Sequence, residues 1–161
     1  MITFIYPKDD WTAAETVMKM QALAASQGSD VYSTPKNTRR NINDINMKLA
    51  KTKYAIFIAI DAENIDADTQ QELKTLSESR AEIYYVIPEE FEQKLHTKGQ
   101  VYRYRRSDYP LSLINSVQQV LSDIERKQKT LQDQTDTGDL IALLAIIGLL
   151  LFFLWLIFKK E

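Results

Sequence analysis

The chain has 161 residues, a formal net charge of −2 and no cysteine. This charge is not that of a nucleic-acid-binding domain, and the lack of cysteine excludes disulfides and thiolate metal sites. A single histidine, His96, also excludes multi-histidine metal centres, and we expect an ordinary surface or half-buried role for it rather than catalysis.

The first third of the chain predicts two strands and a helix. Residues 2–6, ITFIY, are β-branched and aromatic and predict a buried strand. Thr12 and Glu15 match a capping box, which predicts a helix from there to about Gln27. The next strand is predicted at 31–34, VYST, and a polar loop with three cations follows it.

Strands and helices continue to alternate along the rest of the soluble part. The unbroken apolar run YAIFIAI at 54–60 predicts a strand that is covered on both faces. Other patterns predict helices over 42–52, 68–79, around 91–95 and from Leu111, and strands over 82–88 and 101–105. This alternation predicts an α/β domain over residues 1–126, with a five-stranded parallel sheet flanked by helices.

Residues 140–158 are nineteen apolar residues in a row without a charge. As a helix they would cover roughly 28 Å, close to the hydrocarbon thickness of a bilayer. We therefore predict a transmembrane helix, preceded by a polar segment at 127–139 that is a linker or a frayed extension of the last soluble helix, and followed by a short tail at 159–161. The N-terminus lacks a signal-peptide pattern, so we expect a tail-anchored, single-pass membrane protein whose N-terminal domain is cytoplasmic. Basic residues flank both ends of the span and do not decide its orientation.

Candidate site residues follow the predicted strands, because ligands bind at the carboxyl ends of parallel strands. The candidates that end or follow the first three strands are Tyr6, Asp10, Trp11, Arg39, Arg40 and Asp61. Glu72, in the next helix, is the candidate catalytic residue, because a glutamate can stabilise an oxocarbenium ion or orient a ribose hydroxyl. The alternative for Glu72 is an ordinary surface charge near a helix N-terminus.

Two other kinds of site are disfavoured by motif. The acids between Asp61 and Asp68 lack the glycine and the bidentate glutamate of a calcium loop, so we expect no metal. The soluble part has no glycine-rich phosphate loop, which disfavours the usual dinucleotide fold of oxidoreductases.

The order of these pieces resembles a TIR-like domain, of the Toll/interleukin-1 receptor type. ITFIYPKDDW resembles the first TIR strand and its acidic loop, and LAASQGSDVYS resembles the passage into the second strand. NTRRNINDINMKLAKTKYAIFIAI is similar to the loop, helix and apolar strand that follow. DAENIDADTQQEL places Glu72 eleven residues after Asp61, near the glutamate of catalytic TIR domains. The chain departs from the family in having Asp61 where a serine is usual and no small-aromatic pair before Glu72.

The resemblance implies a nucleotide ligand, with NAD as a candidate substrate and no bound cofactor. It implies that Glu72 holds the ribose or stabilises its cationic transition state, and that Tyr6 and Trp11 offer aromatic surface to a base. Arg39 or Arg40 would meet the pyrophosphate as a bidentate donor. The alternatives are core packing for the two aromatic residues and simple solubility for the arginines.

Two main functions follow as hypotheses. The first is a membrane-anchored TIR-like signalling or defence effector that binds a nucleotide and acts on homo-oligomeric assembly, either by cleaving NAD or by passing a nucleotide signal to the membrane. The second is a non-enzymatic nucleotide sensor or scaffold, whose ligand-driven or partner-driven oligomerisation acts through the transmembrane helix on the membrane. A nucleoside-processing enzyme of the deoxyribosyltransferase type is a third reading that shares the fold and a glutamate.

Overall fold

A computed structural model of the protein describes residues 1–26, 30–36, 41–95 and 97–132. None of the helices in these ranges is both long and apolar enough to cross a bilayer. The predicted span at 140–158 lies outside the described residues, as do Arg39, Arg40 and His96.

The described residues form five strands and four α-helices. The strands are β1 (Ile2–Ile5), β2 (Val31–Ser33), β3 (Tyr54–Ile58), β4 (Glu82–Pro88) and β5 (Gln100–Tyr104). The helices are α1 (Trp11–Ser26), α2 (Ile42–Ala50), α3 (Ala67–Glu78) and α4 (Leu111–Gln132), with a short 3₁₀ helix at Arg106–Asp108 before α4.

The strands form one parallel sheet in the order β2-β1-β3-β4-β5. This confirms the predicted five-stranded parallel sheet with flanking helices. The chain leaves β1 toward β2 on one side and returns to β3 on the other side of β1. The topological switch point, where open α/β sheets bind ligands, therefore lies between the carboxyl ends of β1 and β3.

Two apolar clusters cover the two faces of the sheet. One contains Ile56 and Ile58 of β3 with residues of α1 and α4, and the other contains Ala55 and Phe57 with residues of α2 and α3. Successive strand residues point to opposite faces, and here both faces meet helices. This explains why β3 has no polar alternation.

The connection between β4 and β5 differs from the prediction. In the described residues 89–95 and 97–99 there is no helix where one was predicted around 91–95. The guanidinium of Arg103 donates to the carbonyl oxygens of Glu89 (3.0 Å) and Phe91 (3.4 Å), and the Phe91 ring is buried against the α2–α3 side of the sheet. These contacts give two carbonyl groups of the segment a partner outside it, and the buried Phe91 ring fixes the segment against the sheet without a helix.

Candidate functional site at the carboxyl edge of the sheet

Glu72 lies in a buried ion pair. Its carboxylate accepts hydrogen bonds from Lys36 Nζ (2.6 Å) and from the hydroxyl of Thr34 (2.9 Å). Lys36 Nζ also donates to Thr69 Oγ1 (2.9 Å), one turn before Glu72 on α3. The side chains of Lys36 and Glu72 are only 1% and 4% exposed. Glu72 is therefore not a surface charge, and it ties the segment after β2 to α3.

Tyr6 packs beside this pair. Its ring lies 5.8 Å from Lys36 Nζ and belongs to the apolar cluster under α1 and α4, and the residue is 6% exposed. Burial, and then the negative charge of Glu72, raise the pKa of the Tyr6 hydroxyl. Tyr6 thus contributes to the core, and it lies next to Glu72 as well.

Asp10 links the loop after β1 to the loop after β3. Its Oδ1 accepts from the N–H of Ala13 (2.9 Å), so Asp10 is the N-cap of α1. Its Oδ2 accepts from three consecutive N–H groups, those of Ile60 (2.6 Å), Asp61 (3.0 Å) and Ala62 (3.0 Å). Both oxygens of this fully buried carboxylate are therefore occupied by backbone donors.

The cap also corrects the predicted start of the first helix. The helix begins at Trp11, before Thr12, and the capping box of Thr12 with Glu15 is wrong. The Thr12 hydroxyl donates instead to Asp61, and Glu15 pairs with Lys19 one turn later. An aspartate directly before the helix competes well for the free N–H groups of its first turn.

The carbonyl groups of the loop after β3 are held from the other side. The hydroxyl of Tyr104, at the end of β5, donates to Ala59 O (2.9 Å). The Nε of Arg106 donates to Ile60 O (3.1 Å). Burial raises the pKa of Tyr104 far above its usual range, which keeps the hydroxyl protonated as a donor. With Asp10, these contacts give the loop a defined backbone position at the switch point.

Asp66 closes the same loop at the start of α3. Its carboxylate accepts from Thr69 N (3.0 Å), as the N-cap, and from Lys8 N in the loop after β1 (2.7 Å). Burial acts to raise the pKa of Asp66, but the hydrogen bonds from Lys8 and Thr69 outweigh it, and the pKa is lowered. The β1 and β3 loops are thus joined by two buried or half-buried carboxylates.

Two aromatic residues remain open to solvent at this edge. Trp11, the first residue of α1, is 68% exposed, so core packing does not account for it. Tyr109, at the end of the 3₁₀ helix, is 36% exposed. Burial, and then the negative charges of Asp61, Glu15 and Asp10, raise the pKa of its hydroxyl. Asp61 is itself exposed. The predicted residues Asp10, Trp11 and Asp61 are therefore neighbours, but only the last two face solvent.

Sequence reasoning missed the closest partners of Glu72. The sequence places Thr34 and Lys36 in the segment after the second strand, where a ligand would bind, but it indicates no partner for either of them and no role for Thr69. One signal is present in the sequence. Lys36 lies two residues beyond Thr34, at the end of a strand, and Glu72 lies in the helix that follows the next strand. Spacing alone could not show that they meet.

Within the described parts of the chain, no group of three acidic or histidine side chains could hold a metal ion. Fold and edge together define the class of protein: a parallel α/β domain with a 2-1-3-4-5 sheet and an internally paired carboxylate near the switch point. No family model, no curated protein and no solved structure matches the chain.

Proposed function

We propose that the chain is a membrane-anchored, TIR-like signalling module of the sensor or scaffold type. Its cytoplasmic domain binds a nucleotide at the carboxyl edge of the sheet. Binding promotes side-by-side assembly of the domains, and assembly acts on the membrane through the transmembrane segment. The module works in this state without cleaving NAD.

The buried pair between Lys36 and Glu72 carries this proposal. A glycosidic cleavage that develops positive charge on a ribose needs a carboxylate whose charge faces the sugar. The charge of Glu72 is already compensated by an ammonium at 2.6 Å, and the residue is 3% exposed. A carboxylate so placed stabilises the junction of β2 and α3 better than it serves a substrate.

Three further features support binding and assembly. The 2-1-3-4-5 strand order puts a switch point between β1 and β3, where doubly wound folds take nucleotides. The indole of Trp11 offers an open aromatic face at that edge. The apolar run at 140–158 would confine the domain to a membrane plane, which raises its effective concentration and makes weak contacts sufficient.

NAD cleavage by Glu72 is the second candidate function, and one observation favours it. Glu72 lies among Tyr6, Thr34 and Lys36, at the edge where the resemblance places a catalytic glutamate. A change in which Lys36 withdraws would expose the carboxylate beside an aromatic ring. In that case assembly would switch the enzyme on.

One reconstitution experiment separates the two functions. The full chain with Trp155→Phe, so that Trp11 is the only tryptophan, is placed in phospholipid vesicles at high surface density. NAD and ADP-ribose are added separately, the fluorescence of Trp11 reports binding, and released nicotinamide is measured by chromatography. A Lys36→Met/Glu72→Leu double variant serves as the matched control, because it removes the carboxylate without leaving a single buried charge.

For the sensor or scaffold, we expect a saturable change of Trp11 fluorescence on addition of nucleotide and no release of nicotinamide. We also expect nucleotide to increase the amount of oligomer that chemical cross-linking captures. Release that disappears in the double variant would establish the enzymatic function instead. If neither nucleotide changes the fluorescence or the oligomeric state, the proposed nucleotide sensor is wrong.

A further inference from the structure

Four cations lie at the edge of the sheet opposite the candidate site. We name this surface the basic edge and define it by Lys51, Lys53, Arg80 and Lys98. Lys51 and Lys53 precede β3, Arg80 precedes β4, and Lys98 precedes β5. All four side chains are exposed.

The strand register places these cations side by side. Tyr54 of β3 pairs with Glu82 of β4, so Lys53 and Arg80 leave the same end of neighbouring strands. Tyr84 pairs with Gln100, which puts Lys98 beside the start of β4. Neighbouring strands are about 4.8 Å apart, so the charges form a row rather than a scatter.

Internal ion pairs do not account for the row. Among the described residues, none of the four cations forms a salt bridge, although Lys53 lies over the ring of Tyr54. The C-terminal ends of α2 and α3 favour Lys51 and Arg80 through the helix dipole. That effect is weaker at Lys53, three residues beyond the end of α2, and no helix is described directly before Lys98.

Helix α4 directs the chain toward this same edge. It begins at Leu111, beyond the carboxyl end of β5, and runs back along the sheet. Near its end, Lys127 Nζ donates to Glu82, the first residue of β4, and to the hydroxyl of Tyr84 (3.2 Å). Helix α4 therefore ends, at Gln132, on the side of the basic edge.

The opposite edge has an excess of negative charge, whereas the basic edge has an excess of positive charge. The exposed acids Asp30 and Glu82 lie near the four cations, and the exposed cations Lys8 and Arg105 lie at the carboxyl edge. The exposed acids that follow the carboxyl ends of the strands are Asp9, Asp61, Glu63, Asp68, Glu89 and Glu90. A domain with one basic and one acidic edge has a preferred orientation next to a negatively charged surface.

We infer that the basic edge binds the anionic headgroups of the bilayer in which the chain is anchored. Headgroup phosphates and carboxylates meet the row of cations, and the candidate site at the carboxyl edge points away from the membrane. This inference rests on the membrane anchor of the proposed function. The charge of the lipid then sets the orientation of each domain relative to the membrane, and so determines whether neighbouring domains can make side-by-side contacts.

Energy transfer from the domain to the lipid surface tests this orientation. Because the chain has no cysteine, Ser77→Cys, near the basic edge, and Asn64→Cys, in the loop after β3, each give one labelling site. The labelled full chain is reconstituted in neutral phosphatidylcholine vesicles and in vesicles with about 30% phosphatidylserine, both carrying an acceptor headgroup. Measurements are repeated in about 0.5 M salt, where the Debye length is about 4 Å.

We expect more energy transfer to the lipid acceptor from a label at position 77 in anionic than in neutral vesicles. A label at position 64 should show no such increase. The increase disappears in high salt. When all four cations of the basic edge are changed to glutamate, the increase in energy transfer should fall to less than about a fifth of its value. When they are changed to glutamine, it should fall only partly. Changing Lys19, Lys74, Lys94 and Arg105 to glutamate, with the same change in net charge, preserves it.

Equal transfer from position 77 in both kinds of vesicle, with the chain fully incorporated, would overturn this inference and leave the anchor standing. Failure of the chain to float with either vesicle would overturn the anchor and this inference together. A labelled RNA oligonucleotide is the remaining arm. Binding of RNA through the same four cations, without an effect of lipid charge, would assign the edge to nucleic acid and reject the lipid.

Discussion

Lys36 and Glu72 lie 36 positions apart in the chain and form an ion pair of 2.6 Å with almost no exposure to solvent. The pair joins the segment after β2 to helix α3, which covers the same face of the sheet as α2. Strand β2 is an edge strand of only three residues. Thr34 and Thr69 supply further hydrogen bonds to it. Glu72, to which the TIR resemblance gives a catalytic role, thus also connects two segments of the fold.

Single substitutions in this pair should be costly, and the double substitution much less so. Lys36→Met or Glu72→Leu leaves one buried charge without its partner, which costs about 3–5 kcal/mol of unfolding free energy. The double variant buries two apolar side chains and should recover most of that loss. Urea unfolding of the full chain in mild detergent, followed by tyrosine fluorescence, measures all three.

If the losses of unfolding free energy in the two single variants simply add up in the double variant, a direct interaction between Lys36 and Glu72 is contradicted. Glu78→Leu, on the exposed face of the same helix, is the matched control. It removes a surface pair with Lys74 and should change stability by less than about 1 kcal/mol.

Asp10 should be the most sensitive of the predicted binding residues, for a structural reason. Asp10→Ala removes the cap of α1 and leaves three N–H groups of the β3 loop without their acceptor. We expect a loss of about 3 kcal/mol or more. Thermal unfolding by circular dichroism checks this, and Asp9→Ala, an exposed neighbour, is the control. A small effect at Asp10 would mean that the loop is held by Tyr104 and Arg106 alone.

The stability contributed by Asp66 should depend on pH. Its folded-state pKa is lowered, so the contribution is present above the unfolded-state pKa of about 4 and is lost as the pH falls through the folded value. Asp66→Asn keeps a capping oxygen but removes the charge, and should cost about 1 kcal/mol at pH 7. The difference between the two proteins should shrink below about pH 4. Urea midpoints between pH 7 and pH 3 test it, and a constant difference would refute the assignment.

Arg80 offers a stabilising substitution. It follows the last residues of α3 with a φ of 63°, and the N–H groups of Arg80 and Ala81 donate to Ser77 O (3.3 Å) and Leu76 O (3.0 Å). This is a Schellman motif, whose left-handed position favours glycine. Arg80→Gly should raise the unfolding free energy by up to about 1 kcal/mol. Arg80→Val should lower it, and the reverse order in urea unfolding would contradict the motif.

The order and type of most elements could be read from the sequence, because they depend on local periodicity. The β-branched and aromatic segment at 2–5 and the apolar run at 54–58 predict strands with both faces covered, and the polar segments that follow them mark the carboxyl edge of the sheet. The helix predicted around Phe91 was wrong for a related reason. Its apolar residues indicated burial, and Phe91 is buried, but the segment is held by tertiary contacts such as that of Arg103, twelve positions later, with the Phe91 carbonyl.

The sequence by itself determined that strands and helices alternate and that polar residues gather at the carboxyl ends of the strands. Only the tertiary structure decided which of these residues are paired. Asp10 and Glu72 both lie at the predicted edge, but one holds the backbone of a loop 50 positions away and the other holds Lys36. The physical reason is that periodicity is a property of neighbours in the chain, whereas pairing depends on packing between segments that meet only after the sheet has formed.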